Sequence, residues 1–219
     1  MAIAYAFSMR YRFFFIVVLV SILPVSVFAE ENWFFTTLTT KEGLPNASVS
    51  AIVQDNQGFL WFGTQNGLAR YDGYTFKVFE NEPFLDNVLS HNQVQTLYLD
   101  GDVLWIGTYG GLNRLDIKTY SITNFIHGAD RADSLSGNIV VSICRDIHGN
   151  LWVGTEAGLD RLDEKTGTFV HYSKPANASG LPLCMIRDIH CDRQGELWIA
   201  THGEGLWKYD YTSNVFVKV

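Results

Sequence analysis

Two glutamates and a histidine are the groups of this sequence whose types and spacing come nearest to acid–base chemistry. Glu156 directly follows the segment 151–155, and His202 and Glu204 follow the related segment 197–201. Two carboxylates on either side of a substrate can act as general acid and general base. An enzyme such as a lyase or glycosidase is therefore one alternative for this chain.

No established catalytic or metal-binding motif accompanies these groups. The sequence contains no G-x-S-x-G, P-loop or Rossmann fingerprint, and no C-x-x-C or H-E-x-x-H. His190 and Cys191 stand beside each other in a strand-like stretch, so their side chains would point to opposite faces and not to one metal ion. We therefore predict a protein that is not an enzyme, with no catalytic residues, no metal and no cofactor.

A repeated phrase shows which elements must position any functional group. It reads LWFGT at 60–64, LWIGT at 104–108, LWVGT at 151–155 and LWIAT at 197–201, so that Trp61, Trp105, Trp152 and Trp198 are separated by 44, 47 and 46 residues. A β-rich period of this length is typical of the blades of a β-propeller. Rings that recur in every repeat predict a structural role, packing against the adjacent blade.

Each repeat contains four short strand-like stretches separated by turn signals. In the third repeat, a β-branched run at 139–144 is followed by Asp146 to Gly149, by strands at 151–154 and 159–162, and by an outer strand at 168–172. The predicted fold is all-β, a propeller of four-stranded antiparallel blades. The blades are predicted at 44–80, 89–126, 135–173 and 181–217 within a domain of residues 30–219.

An extra N-terminal strand is predicted at 32–38. The fourth repeat already has an outer strand of its own, so this extra strand would complete a blade that the sequence does not contain. We expect about four blades in an open, incomplete part of a larger propeller. A self-closed ring of four blades is the alternative, and an open array would expose an apolar blade edge through which the chain could self-associate.

Residues 1–29 have the pattern of a signal peptide. Arg10 and Arg12 precede an apolar stretch, and small residues end at Ala29. We predict export to the periplasm with cleavage after Ala29, and an uncleaved anchor is the alternative. Removal of residues 1–29 leaves 14 basic against 23 acidic side chains, a net formal charge of −9. This charge argues against nucleic acid as a partner.

Structural roles are also predicted for the three cysteines and for two charged positions that recur in every repeat. Cys144, Cys184 and Cys191 could include one disulfide in an oxidising compartment, or could all be buried thiols. The recurring charges are predicted to bond turn carbonyls and amides inside each blade. They are Arg70, Arg114, Arg161 and Lys208 and the aspartates Asp72, Asp116, Asp163 and Asp210.

A ligand-binding surface is predicted at one end of the blades. The turns between second and third strands and the connections between blades share this end, and their residues differ between repeats. Polar and aromatic side chains there could bind a small molecule or glycan fragment. The predicted contact residues are Asn46, Gln65, Asn66, His91, Asn92, Tyr109, Asn138, Glu156, His202 and Glu204.

Residues 54–73 resemble the two-component regulator propeller repeat, and the lead-in at 38–45 resembles it too. The likeness recurs four times. The resemblance implies an extracytoplasmic sensory domain, often for glycan fragments, in a bacterial protein whose output is a histidine kinase or a diguanylate cyclase. This sequence contains no kinase or cyclase motif and no apolar segment after the repeats, so we expect a chain truncated before its output domain.

The predicted function is therefore a non-enzymatic sensory or ligand-binding propeller. Contact with the membrane would come only through an uncleaved signal or a missing C-terminal part. A structural or protein-interaction module is an alternative, and a lyase or glycosidase is another.

Overall fold

The computed structural model describes residues 34–131, 133–174 and 180–219, and every regular element in them is a β-strand. The predicted signal peptide lies outside the described residues. The sixteen strands are β1 Val49–Gln54, β2 Leu60–Thr64, β3 Gly67–Tyr71, β4 Phe76–Phe79, β5 Val94–Asp100, β6 Val103–Thr108, β7 Gly111–Asp116, β8 Ile122–Phe125, β9 Val140–Arg145, β10 Leu151–Thr155, β11 Leu159–Asp163, β12 Thr168–His171, β13 Ile186–Cys191, β14 Leu197–Thr201, β15 Leu206–Asp210 and β16 Val215–Lys218.

The strands form four separate antiparallel sheets of four, each in sequence order. The predicted fold of four-stranded antiparallel blades is confirmed. A bulge recurs in the first strand of every blade. One extra residue, such as Ser50 or Val141, lies between the residue paired with the motif threonine and the residue paired with the glycine or alanine before that threonine. We number the blades 1 to 4 along the chain.

The N-terminal segment differs from the prediction of an extra strand at 32–38. Residues 34–38 form no strand, and residues 32 and 33 lie outside the described part of the chain. Phe34 and Phe35 are almost fully exposed. A strand requires a hydrogen-bonded neighbour, and an apolar, aromatic sequence alone does not supply one.

The blades pack through the repeated tryptophan and the glycine two residues after it. Trp61 is fully buried in a cluster that includes Val94 and Leu97 of blade 2. A Cβ on Gly63 would lie 2.6 Å from the Val94 side chain, so the close approach of two blades requires glycine here. Trp105 and Trp152 are buried in the same way, whereas Trp198 of blade 4 is only half-buried.

An aspartate in the first turn of three blades holds the tryptophan of that blade. In blade 3, Asp146 accepts the N–H of His148 and Asn150 on Oδ1, at 2.9 Å each, and the Trp152 indole N–H on Oδ2 at 2.8 Å. Asp55 and Asp192 do the same for Trp61 and Trp198. The sequence prediction assigned this aspartate to the turn alone and missed the indole bond.

Blade 2 lacks this arrangement because its first turn is shorter. Asp100 pairs directly with Val103, and Gly101, at φ 61°, and Asp102 form the two-residue hairpin loop. No aspartate therefore reaches the tryptophan, and the buried Trp105 indole nitrogen has no hydrogen-bond partner among the described residues. A buried donor without an acceptor destabilises the native state.

We expect Trp105→Phe to cost less stability than Trp152→Phe, by about 1 to 2 kcal/mol in the free energy of unfolding. Both changes remove similar ring volume from a buried site, but only the second one removes an indole bond to a carboxylate. Urea unfolding of the two variants measures the difference. Equal losses would contradict the assignment of Trp105 as an unpaired donor.

The recurring charged residues divide into two roles. Asp72, Asp116 and Asp210 each accept two turn amides, as predicted. Three of the basic residues, Arg70, Arg161 and Lys208, instead lie on aromatic rings. The Arg70 guanidinium is 3.9 Å from the centre of the Phe59 ring and also donates to the Tyr120 hydroxyl of blade 2. For Arg70 the prediction of bonds to turn carbonyls within one blade was wrong, because a guanidinium on a sheet face stacks on neighbouring rings.

Candidate functional site

The turns between second and third strands and the connections between blades form one end of the array, which we call the connection face. In every blade, the residue that follows the threonine of the repeated motif donates its N–H to the carbonyl of the residue directly before the first strand. These bonds run from Gln65 to Ser48 O at 3.2 Å, Tyr109 to Gln93 O at 3.1 Å, Glu156 to Ile139 O at 3.1 Å and His202 to Met185 O at 2.9 Å. The same backbone bond thus presents four different side chains at equivalent positions.

A buried polar network fixes the connections that enter blades 2 and 3. In blade 2, Asn113 Oδ1 accepts the N–H of Ser90 at 2.7 Å, and the Ser90 hydroxyl lies 2.9 Å from that of Thr108. In blade 3, the carboxylate of Asp160 takes the place of this amide and accepts the N–H and the hydroxyl of Ser136 at 2.8 and 2.9 Å. These bonds make the connection a rigid platform.

Five of the ten predicted contact residues accept backbone N–H groups of the loops on the connection face, and one of them is His91, whose Nδ1 accepts the N–H of Gln93 at 2.9 Å. Asn46 accepts the N–H of Ser48 at 2.8 Å, Asn92 that of Asn81 at 2.5 Å, and Asn138 that of His127 at 2.8 Å. Glu156 accepts the N–H of Asn138 and of Ile139 at 3.1 and 2.8 Å, one on each oxygen. These side chains shape the connection face as well as lying on it.

Six of the ten predicted residues, including His91, are exposed on the connection face. The rings of His91 and Tyr109 lie near each other, with centroids 6.1 Å apart. His202 Nδ1 is 3.1 Å from the Arg187 guanidinium, and Glu204 is 3.7 Å from the Lys218 amine. The exposed residues of the prediction are Gln65, Asn66, His91, Tyr109, His202 and Glu204.

The carboxylate of Asp160 is fully buried beside this face. Burial raises its pKa, and bonds from Ser136 and His171 oppose that rise. His171 Nδ1 lies 2.7 Å from Asp160 Oδ1, and its ring lines a shallow outer cleft of about 330 Å³ together with His127, Arg131 and Ser173. Sequence reasoning missed Asp160, since its partner Ser136 is 24 residues away along the chain.

We expect Asp160→Asn to change the free energy of unfolding by less than about 1 kcal/mol at neutral pH, and Asp160→Ala to lower it by about 2 kcal/mol. Asparagine already accepts the equivalent serine N–H in blade 2, whereas alanine leaves the backbone N–H of Ser136 without its acceptor. Because the folded state protonates Asp160 more readily than the unfolded state does, its ionisation lowers stability as pH rises above the ordinary aspartate range. Urea unfolding from pH 4 to 7 should show that Asp160→Asn removes this decline. The assignment would be contradicted if the stability of Asp160→Asn fell with rising pH as steeply as that of the unsubstituted protein.

Several other groups bear on the chemistry of the chain. Within residues 34–131, 133–174 and 180–219, no three of His, Cys, Asp and Glu gather closely enough to hold a metal ion. The three cysteines are free thiols, and burial raises the pKa of Cys144 to about 11 although a backbone N–H of Cys191 opposes the rise. A thiol held protonated in this way is a poor nucleophile.

The described part of the chain contains no helix whose length and hydropathy would let it span a membrane.

The fold and the connection face together define the class of protein. Sixteen strands in four radially repeated sheets, with a fixed framework and varied side chains at one end, are the features of a β-propeller repeat protein. Residues 43–66, 88–110, 134–157 and 180–203 match the family model of the two component regulator propeller. The chain therefore contains four matches to the repeat of the two component regulator propeller, one in each blade.

Individual relatives agree with this assignment. Over 70 residues the chain is 44% identical to histidine kinase P4 of Formosa agariphila, which covers 32% of this chain and 5% of the kinase. The extracellular domain of a hybrid two component system from B. thetaiotaomicron matches with a TM-score of 0.65 and 27% identity, over 83% of this chain and 31% of that one. The chain therefore spans a minor part of both proteins.

Enzymes share the same fold. Virginiamycin B lyase from Staphylococcus aureus superimposes with a TM-score of 0.56 and 14% identity, over 78% of this chain and 56% of the lyase. At this identity the likeness concerns the fold alone.

Proposed function

We propose that this chain is a non-enzymatic, extracytoplasmic sensory propeller of a bacterial two-component signalling protein, and that it binds a small molecule or glycan fragment on the connection face. The observation that carries the proposal is the set of four equivalent positions, occupied by Gln65, Tyr109, Glu156 and His202, on one repeated backbone bond. A constant framework with varied side chains is what a binding surface requires.

The relatives support a sensory role in an extracytoplasmic compartment. One is a histidine kinase and the other is an extracellular domain of a two component system. By extension, the chain would act in the periplasm after cleavage behind Ala29, and a longer protein would supply the kinase or cyclase output.

The exposed side chains suit a polar ligand with one apolar face. Tyr109 and His91 offer rings on which a sugar can stack, and Gln65 and Asn66 offer amide donors and acceptors nearby along the same face. The engaged side chains beneath them keep the connections rigid, which lowers the entropy lost on binding.

The lyase or glycosidase alternative has weaker support. Both oxygens of Glu156 already accept backbone N–H groups of the connection. Proton transfer by this carboxylate would have to break the bonds that hold the connection, whereas a general base needs a lone pair directed at its substrate.

Calorimetric titration against defined gluco-, xylo-, manno- and pectic oligosaccharides tests the proposal. We expect one class to bind, and Tyr109→Ala with His202→Ala to weaken that binding at least about tenfold. Tyr74→Ala is the matched control, because Tyr74 is an exposed tyrosine in a third turn, at the opposite end of the blade. Binding that survives the double change but is lost with Tyr74→Ala would refute the assignment of the face.

A cellular test addresses the sensory role separately. Deletion of the segment equivalent to residues 30–219 from a full-length relative should abolish its transcriptional response to the bound class. An unchanged response would mean that the propeller is not the sensor.

A further inference from the structure

The first strands of blades 3 and 4 bring two cysteines to the interface between these blades. Cys144 lies on β9 opposite Trp152, so its side chain is on the face of blade 3 that meets blade 4. Cys191 lies on β13, one residue after the residue opposite Trp198. Because successive side chains of a strand point to opposite faces, Cys191 is on the face of blade 4 that meets blade 3. Both thiols therefore point into one interface.

A contact two residues earlier in each strand fixes the register of the two cysteines. The hydroxyl of Ser142 on β9 accepts the N–H of Ile189 on β13 at 3.0 Å. Two residues further along both strands, the Cys144 sulfur accepts the N–H of Cys191 in the same way. Both cysteines also pack on the hydrophobic cluster that contains Trp152. The Cys144 sulfur thus lies beside a backbone nitrogen from which only three bonds lead to the Cys191 sulfur.

The equivalent positions of the other two described interfaces hold different pairs of residues. Between blades 1 and 2, Val53 and Leu99 stand at these register positions and pack on one hydrophobic cluster. Between blades 2 and 3, the Tyr98 hydroxyl accepts the backbone N–H of Arg145. First strands of neighbouring blades therefore meet at this position in every interface, and blades 3 and 4 place a thiol on each side of it.

We propose that Cys144 and Cys191 form a site of oxidation, at which a disulfide links blade 3 to blade 4. Both thiols are partly exposed, so a disulfide reagent can reach them from solvent. Cys184 is not part of this site, because it lies in the connection that enters blade 4, beside the Thr201 side chain. A disulfide of this kind persists in the oxidising compartments outside the cytoplasm.

The oxidant is a second disulfide, and the reaction is thiol–disulfide exchange. The Cys191 thiolate attacks one sulfur of the reagent, forms a mixed disulfide and releases a first thiol. The Cys144 thiolate then attacks Cys191 Sγ, closes the bond between the blades and releases a second thiol. The two protein thiols lose two electrons and two protons, and the reagent takes up both.

The environment of Cys144 decides the order of these two steps. Burial raises the pKa of Cys144 to about 11, so this thiol is a poor nucleophile toward a reagent in solution. In the second step the attack is intramolecular, and the position of Cys144 beside Cys191 compensates for its small thiolate fraction.

The bond constrains the unfolded chain as well as the interface. It joins residues that are 47 positions apart, and closure of a long loop lowers the entropy of the unfolded state. Within a repeat array, it also fixes blade 4 on its neighbour. We therefore expect oxidation to raise the midpoint of urea unfolding by about 1 M.

Incubation of the reduced chain with oxidised glutathione tests the proposal. Free thiols are then blocked with N-ethylmaleimide, and peptides are analysed by mass spectrometry without reduction. We expect Cys144 joined to Cys191 and the blocking group on Cys184 alone. The urea midpoint of the oxidised chain should exceed that of the reduced chain by about 1 M.

Three variants separate the bridge from other effects of oxidation. Cys184→Ser is the matched control and should keep both the bridge and the rise in midpoint. Cys144→Ser should retain glutathione on Cys191, because the second attack is no longer possible, and its midpoint should not rise. Cys191→Ser should show no rise either.

The peptides of the unsubstituted chain decide the proposal even where a variant does not fold. A bridge that contains Cys184, three blocked thiols after oxidation, or glutathione that stays on Cys191 of the unsubstituted chain would overturn it. A Cys144–Cys191 bridge that leaves the urea midpoint unchanged would also overturn it, because such a bond does not constrain the two blades.

Discussion

Asp146→Ala is expected to lower the free energy of unfolding by about 3 kcal/mol or more, measured by urea denaturation. The Asp146 carboxylate accepts two turn amides, the Trp152 indole N–H, the Asn150 side-chain amide and the Tyr211 hydroxyl of blade 4. Alanine leaves these donors without their acceptor, and the indole is fully buried. The change weakens blade 3 and its contact with blade 4 together.

Asp192→Ala is the matched control for this change. Asp192 makes the same bonds to its turn and its tryptophan, but Trp198 is half-buried. Water can replace the lost acceptor there, so the expected loss is about half as large. If both substitutions lower the free energy of unfolding equally, burial of the indole does not determine how much the bond stabilises the fold.

The acid dependence of stability gives a second measurement on Asp146. Burial opposes its ionisation, but hydrogen bonds from Trp152 and Asn150 outweigh burial and hold the pKa below its ordinary value. The ionised carboxylate therefore stabilises the fold above the unfolded-state pKa, and this stabilisation is lost as pH falls below about 4. Asp146→Ala should flatten the decline in stability between pH 4 and pH 2.

Gly107→Val is expected to cost about 3 kcal/mol, because it forces side-chain atoms into the interface between blades 2 and 3. A Cβ at this position would lie 2.6 Å from Thr96 Cγ2, 2.7 Å from Val140 Cγ1 and 2.9 Å from the Val140 carbonyl oxygen. The last contact is with backbone, so rotation of a side chain cannot relieve it. Thermal or urea unfolding measures the loss.

Ala200→Val makes the same kind of change at the equivalent position of blade 4. No described blade packs on that side, so we expect a loss of less than about 1 kcal/mol. A large loss from Ala200→Val, or a small one from Gly107→Val, would contradict the blade contacts described above.

The framework of the fold was predictable because it is local and repeated. Turn signals such as Asp146 to Gly149, and short β-branched runs between them, mark strands independently of distant contacts. The spacing of six residues between Asp146 and Trp152 recurs for Asp55 and Trp61, and could have indicated the indole bond. The N-terminal strand was predicted from composition, which cannot provide a neighbouring strand.

The candidate site was predictable only in part. Chain order places the second turns and the connections at one end, so the set of residues there follows from topology. The role of each side chain depends on contacts between residues that are far apart in the sequence, such as the bond between Asp160 and Ser136. The bonds from the connection amides to Glu156 could not be predicted, because the residue type alone does not show whether a glutamate is free in solvent or accepts hydrogen bonds from the backbone.

The hydrophobic clusters join each blade to the blades beside it. The stability of the array is therefore expected to be a sum of contributions from single blades and from the interfaces between neighbouring blades. Blades 2 and 3 are flanked on both sides, whereas blades 1 and 4 lose half of that support. Amide hydrogens should therefore exchange with solvent in a graded order, first in blades 1 and 4 and last in blades 2 and 3. Anything that covers the ends would convert this fraying into a single cooperative transition.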